Sequence, residues 1–170
     1  MVRKPSESVR RPSVVVDPVV FLAETDDGKH PERYPEAHVI VLGISCSGKT
    51  SVVSELARQG VRAANCPIVP GCPLPDELFR LIDPRRVYLL EVALDALVDR
   101  REQRVATLGY TPPDFADFES IRLEVARVHR EAVLHRSWRR AHVYARDTPA
   151  EIALAIIEGL KRDLGPDALS

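Results

Sequence analysis

Residues 39–57 read VIVLGISCSGKTSVVSELA, and the spacing of glycines and apolar residues in this stretch decides the fold. Val39, Ile40, Val41 and Leu42 form a short apolar run rich in β-branched residues, the pattern of a strand buried on both faces. Val52, Val53, Leu56 and Ala57 then recur at helical spacing, and Gly60 suits the end of that helix. Between the two lies Gly43-Ile44-Ser45-Cys46-Ser47-Gly48-Lys49-Thr50, which fits G-x-x-x-x-G-K-[ST] in the strand–loop–helix context the pattern requires. Each position has a physical task. A loop that points several backbone N–H groups at one phosphate must curl in ways that side chains obstruct, and glycine relieves the obstruction. The following helix adds unpaired N–H groups and the positive end of its dipole. Lys49 supplies a mobile charge for terminal phosphate oxygens, and Thr50 a hydroxyl for Mg²⁺.

The rest of the chain is consistent with that unit. The segments VRAANCPIV, RRVYLLEV and AHVYA read as further strands. Residues 94–107 and 116–136 read as helices, the second with Phe118, Ile121, Val125, Val128 and Ala132 along one stripe. PGCPLPDELF is a proline-punctuated loop with room for one helical turn. Thr148 caps a last helix opened by Pro149 and Glu151 and followed by Gly165. Strands alternating with helices predict an α/β fold, a P-loop-containing parallel sheet covered by helices on both sides. The expected organisation is a disordered tail over residues 1–17 and one nucleotide-binding, kinase-like domain over 18–170. VVVDPVVFLAE is β-branched but interrupted by Pro18, which predicts an edge strand or extended arm. TDDGKHPERYPEA reads as loop.

Composition excludes several classes of function. The 170 residues are 45% hydrophobic and 29% charged, enough for one domain with its own core. With 24 basic and 25 acidic side chains the net charge is −1, so no global field draws nucleic acid or anionic lipid. No apolar run approaches the ~20 residues of a membrane span, and no signal-peptide core follows the basic N-terminus, so a cytoplasmic location is expected. Cys46, Cys66 and Cys72 are expected as reduced thiols, and no second Cys/His pair at zinc spacing joins them.

Phosphoryl transfer needs a metal-holding carboxylate and a group that activates the acceptor. Glu91, at the end of the apolar run VYLL, suits the metal role and equally suits a glutamate facing water. Asp26 and Asp27 precede the loop strand and can fold back over it, although DDG by itself is more often a turn. Arg100, Arg101 and Arg104 would clamp phosphates or form a solvated helix face, and helical phase favours the second unless one of them faces the loop. His30, His129, His135 and His142 lack a triad context and are expected at the surface or in packing.

In their order and spacing, FLAETDDGKHP, VIVLGISCSGKT, LARQGVRAANCPIVPGCPLPDELFRLIDPRRV and YTPPDFADFESIRLEVA resemble a family. It is that of the bifunctional regulatory proteins of pyruvate, phosphate dikinase and of phosphoenolpyruvate synthase. The resemblance runs from about Val19 to Arg162. It implies a Ser/Thr protein kinase that takes ADP as phosphoryl donor and modifies a threonine beside the target's catalytic phosphohistidine. It also implies the reverse reaction by phosphorolysis, with inorganic phosphate as acceptor and pyrophosphate leaving. By match to the motif, Gly43–Thr50 would be the ADP (or ATP) site, and Asp26 and Asp27 the DDG element for acid/base or metal work. Catalysis would then rest on Asp26, Asp27 and Lys49, and Mg²⁺ on Thr50 and Glu91. The implied protein substrate is the dikinase or the synthase, with neither nucleic acid nor membrane as partner, and a homodimer is left open.

The sequence also departs from the family pattern. Only a short tail stands where the family has a further N-terminal α/β region. Cys46 and Ser51 replace arginine and proline. Leu89, Glu91, Leu94 and Ala96 replace glycine, threonine, proline and arginine, and HVYARD replaces a D-V-T-N element. Fewer charged and hydroxyl groups at a phosphate-handling site would weaken transition-state stabilisation. The alternatives are therefore a truncated, non-catalytic nucleotide-binding relative, or a P-loop kinase of small molecules with LDALVDRREQR as an arginine-bearing lid.

Overall fold

A computed structural model describes residues 16–170. Strand β1 (Val39–Gly43) is buried along its whole length, because it has a strand on each edge and helices on each face. Its neighbours are β2 (Ala63–Pro67) and β3 (Val87–Val92), with β4 (Arg139–Val143) beyond β3, giving the order β2-β1-β3-β4. All three pairings are parallel, as the alternation of strands and helices predicts. The register sets Leu42 of β1 beside Cys66 of β2 and Leu89 of β3. The carboxyl ends of the strands therefore share one edge, where α/β sheets place their ligands.

Six helices accompany the sheet among the described residues: α1 (Pro18–Thr25), α2 (Lys49–Arg58), α3 (Glu77–Arg80), α4 (Leu94–Leu108), α5 (Phe118–Leu134) and α6 (Pro149–Leu164). Helix α2 packs against α1 and α6, while α4 packs against α5 and α5 against β3. Tyr88 of β3 lies against Gly159 of α6, and Glu91, three residues on and so on the opposite face, meets His129 of α5. Helices α6 and α5 thus cover opposite faces. The core is aliphatic, with Ile40, Leu42, Leu56, Leu89, Leu97, Ile121, Ile156 and Leu160 essentially inaccessible.

Three expectations need correction. The segment around Pro18 is a helix, neither an edge strand nor an arm. Asp17 caps it by accepting from the N–H groups of Val19 and Val20, and Pro18 occupies the first turn, where no intrahelical donor is lost. The β-branched residues read as strand signal because Phe21, the one fully buried apolar side chain of the helix, gives no visible helical stripe. Second, the last strand begins two residues before AHVYA, at Arg139, and ends at Val143. Third, part of TDDGKHPERYPEA forms two short 3₁₀ segments, Asp26–Gly28 and Pro31–Glu36. Residues 1–15 of the expected tail lie outside the described residues; its last two are placed, Val16 against the core and Asp17 as the helix cap.

The capping box at α6 forms as its sequence indicates, with Thr148 and Glu151 each bonding the other's backbone N–H. His38, just before β1, is 4% exposed; its Nδ1 accepts the N–H of Arg62 and its Nε2 has no partner among the described residues. Burial, aided by Arg62 and Arg86, pushes the imidazole down to about 4. The unfolded chain then holds a proton that the folded chain rejects between about pH 4 and the ordinary histidine value of about 6.5. Stability should be full above that window and fall by up to about 3 kcal/mol as pH drops through it. Denaturant titrations across the window should show this slope, and His38→Asn, which keeps an acceptor, should flatten it. An unchanged slope in the variant would contradict the assignment.

Candidate phosphate-binding site

The loop after β1 adopts the curled form its glycines were expected to permit. Cys46 (φ 64) and Gly48 (φ 95) both take left-handed backbone, on either side of Ser47. Gly48 supplies that conformation without a Cβ penalty, whereas Cys46 holds it as a non-glycine residue. Gly43 is required for a different reason: a Cβ there would stand 2.6 Å from Ser47 Oγ and 3.3 Å from Lys49 Cγ. The Ser47 hydroxyl is buried without a partner among the described residues. Helix α2 opens at Lys49, and its first carbonyl–amide bond runs from Val52 to Gly48. The N–H groups of Lys49, Thr50 and Ser51 therefore lack helical acceptors and are available to an anion at the dipole's positive end.

Lys49 is only 7% exposed and donates to the carbonyl of Ile44 at 3.0 Å. Burial lowers its ammonium below the ordinary lysine range, with Asp27 foremost among the groups pulling the other way. Asp27 comes near because the DDG turn folds back against the end of β2. Asn65, fully buried on β2, accepts the Asp27 N–H at 2.9 Å and donates its amide to the Asp26 carboxylate. Asp27 itself is left-handed (φ 55). The turn and the loop thus face one cleft of about 1390 Å³, larger than an ordinary small-molecule pocket of roughly 300–1,000 Å³. Thr50, Asp147 at the entry to α6, Phe115, and Ser120 and Arg127 from α5 also line it.

Glu91 is placed differently. It stands toward the carboxyl end of β3, on the same sheet edge as the loop, as expected. Its side chain is 2% exposed and meets His129 Nδ1 at 3.2 Å, His142 Nδ1 at 3.3 Å and Arg140 at 3.6 Å. It is absent from the cleft lining, so its carboxylate sits with α5 and β4 and not with Thr50. Among the described residues no three His, Cys, Asp or Glu side chains gather closely enough to hold a metal by themselves. His129 and His142 lie at the surface as expected, with this carboxylate beneath them. His135 packs against Trp138, with ring centroids 4.2 Å apart.

Arg100 and Arg101 of α4 do not lie on a solvated face. Arg101 is 1% exposed. Its guanidinium donates to both oxygens of Glu124 at 2.7 and 2.9 Å, to the carbonyl of Phe115 at 3.0 Å and to that of Ser45 at 3.3 Å. Arg100 Nη1 reaches the carbonyl of Ser47 at 3.1 Å and that of Cys46 at 3.5 Å. Arg104 is exposed on the cleft rim. Sequence reasoning missed Asn65 and Asp147 as parts of the site, and for Arg101 it preferred a solvated face to the site role it also offered. For Asn65 a signal existed, a polar side chain inside an apolar strand run, which demands a partner. For Arg101 there was none, since its partners come from α5, the 110–117 segment and the loop.

A buried parallel strand, a glycine-bounded anion nest and the helix it feeds define the P-loop-like kinase class of α/β domain. The family model described as Kinase/pyrophosphorylase matches residues 12–157, and the chain belongs to that family. Among curated proteins it is 37% identical over 111 residues to a protein of Carboxydothermus hydrogenoformans provisionally named as a pyruvate, phosphate dikinase regulatory protein, covering 65% of this chain and 40% of that one. A Sorangium cellulosum protein of the same provisional name is 33% identical over 147 residues, covering 86% and 52%. A chloroplastic protein of Oryza sativa subsp. indica, provisionally named likewise, is 32% identical over 125 residues, covering 72% and 26%. The chain therefore spans about half or less of the length of these relatives. No helix among the described residues is long and apolar enough to cross a membrane.

Arg101 should be costly to remove, because a lone Glu124 would then remain poorly solvated beside it. Arg101→Met should lower stability by about 3 kcal/mol in urea titration. Adding Glu124→Leu should recover part of that loss, and a double variant worse than the sum of the singles would contradict the pairing.

Proposed function

We propose that this chain carries the phosphoryl-transfer centre of a regulatory Ser/Thr kinase and phosphorylase acting on pyruvate, phosphate dikinase or phosphoenolpyruvate synthase. The observation that carries the reading is the convergence of two segments on one cleft. The G-x-x-x-x-G-K-T loop offers a phosphate cradle, and Asp27, brought over by Asn65, is the leading attraction on the buried Lys49 ammonium. Family membership supports the class of reaction, and the names of the relatives support the dikinase as target. A cleft larger than an ordinary small-molecule pocket leaves room for an acceptor segment beside the donor.

In the forward direction the terminal phosphoryl group of ADP passes to a threonine or serine hydroxyl. The bond from the leaving phosphate oxygen breaks, AMP leaves, and the hydroxyl proton goes to the Asp27 carboxylate. In reverse, inorganic phosphate attacks the phosphorylated side chain and gives up its proton to the Asp27 carboxylate, pyrophosphate leaves, and Asp27 passes that proton to the side-chain oxygen. Lys49 and the N–H groups of the loop hold the phosphates and oppose the charge spread over the transferring group. The residues present fit Mg²⁺, a hard cation that takes oxygen ligands and keeps substrate phosphates in its shell. Thr50, exposed to the cleft, and a carboxylate of the Asp26–Asp27 turn would hold it, in place of the expected Glu91. When bound it would neutralise charge on the phosphates. A cytoplasmic location goes with this reading.

Two variants test the reading at different links. Lys49→Ala removes the cation of the cradle and should weaken ADP binding at least about tenfold, which is about 1.4 kcal/mol, with the fold intact. Unchanged affinity by calorimetry in the folded variant would show that the loop is not the site. Asp27→Asn should leave ADP binding near wild type and abolish transfer of label from β-labelled ADP to dikinase or synthase, because the loss falls on proton transfer. Wild-type protein that binds ADP yet labels neither target would establish the non-catalytic, nucleotide-binding alternative.

A further inference from the structure

Arg100 is a cation placed beside an anion cradle with no anion of its own among the described residues. Three arginines reach the cleft from α4, Arg100, Arg101 and Arg104, and Arg127 reaches it from α5. Arg101 is neutralised by Glu124. Arg127 holds the carbonyls of Val69 and Cys72 and stands 4.0 Å from Glu131. Arg104 lies one helical turn beyond Arg100 and is exposed. Arg100 is half-buried, and among the described residues no carboxylate lies within salt-bridge distance of it. Its contacts are to two neutral acceptors through one nitrogen, Nη1, on Ser47 and Cys46. Nε and Nη2 have no hydrogen-bond partner among the described residues. The same nitrogen would stand 3.5 Å from a Cβ at Gly48, so the guanidinium rests on the rim of the nest.

A planar fork of donors held by neutral carbonyls exchanges them readily for a phosphate, where the hydrogen bonds become charge-assisted and bidentate. Lys49 is the only cation the loop itself provides, and a diphosphate carries more negative charge than one ammonium balances. We propose that Arg100 is the clamp for the terminal phosphate of a bound nucleoside diphosphate, resting on the Ser47 and Cys46 carbonyls when the cradle is empty. The proposal rests on the phosphate-cradle reading given above and adds to it a discriminating function. Arg101, one residue on, fastens α4 to the loop, so Arg100 needs only side-chain rotation to leave the carbonyls for the phosphate. The clamp would favour ADP over AMP, the two ends of the forward reaction, by contacting the group that only ADP carries.

The test is calorimetric titration of ADP and AMP into wild type, Arg100→Ala, Arg100→Gln and Lys49→Ala, with circular dichroism to verify folding. Glutamine keeps a donor for the loop carbonyls and loses the charge. Both Arg100 variants should lose about tenfold or more in ADP affinity while AMP affinity changes little. Equal loss for ADP and AMP, confined to Arg100→Ala, would overturn the proposal, because Arg100 would then only brace the loop. Unchanged ADP affinity in both Arg100 variants, with binding lost in Lys49→Ala, would also overturn it while leaving the cradle in place. If Lys49→Ala binds ADP as wild type does, the cradle reading itself fails, and the clamp with it.

Discussion

The Arg101 guanidinium is the contact on which the site depends. It joins the loop through Ser45 to the adjoining 110–117 segment through Phe115 and helix α5 through Glu124, so one side chain ties the loop to a stretch of chain far from it in sequence. Its ring contact with Phe115, at 5.0 Å, adds a cation–π attraction in a desolvated setting. A buried guanidinium is stable only while its carboxylate and carbonyl acceptors stay in place. The requirement runs both ways, and the contact ties the far wall of the cleft to the Gly43–Thr50 loop. Transfer between two bound groups needs a fixed distance more than it needs any single charge.

Backbone strain is concentrated at the same place. Of the three described non-glycine residues with left-handed backbone, Cys46 lies in the loop and Asp27 in the facing turn, while His30 follows two residues after that turn. Such conformations cost about 1–3 kcal/mol each and persist where the surroundings over-determine them. Asn65 supplies the constraint at Asp27, and Ile44 and Arg100, through the carbonyls and amides around Cys46, supply it in the loop. The aliphatic sheet beneath carries no comparable strain and holds the site in place.

Much of the fold was legible because it rests on local pattern. A buried strand, a glycine-bounded loop and a helical stripe stand next to one another in Val39–Ala57, and the Thr148–Glu151 cap is written in adjacent residues. The parallel sheet followed from alternation alone. The α1 segment was misread because its only fully buried apolar residue is Phe21, so valine content outweighed the Asp17–Pro18 start signal. At the site, the loop residues were legible and their long-range partners were not. Glu91 looked like a metal ligand because its strand position is right, but strand position does not tell which side chains from β4 and α5 will meet it. Arg100 and Arg101 looked solvated because helical phase cannot show that the loop meets Arg100 or that the loop, Glu124 and Phe115 curl around Arg101. Asn65 was the one readable clue, a buried amide that had to find a partner.

The central claim is that one cradle holds the phosphates of donor and product alike. Displacement of a fluorescent ADP analogue from the wild-type chain by inorganic pyrophosphate tests it most directly. The account predicts complete, single-site competition, because both ligands need Lys49 and the N–H groups that open α2. Analogue binding that persists at saturating pyrophosphate would contradict it.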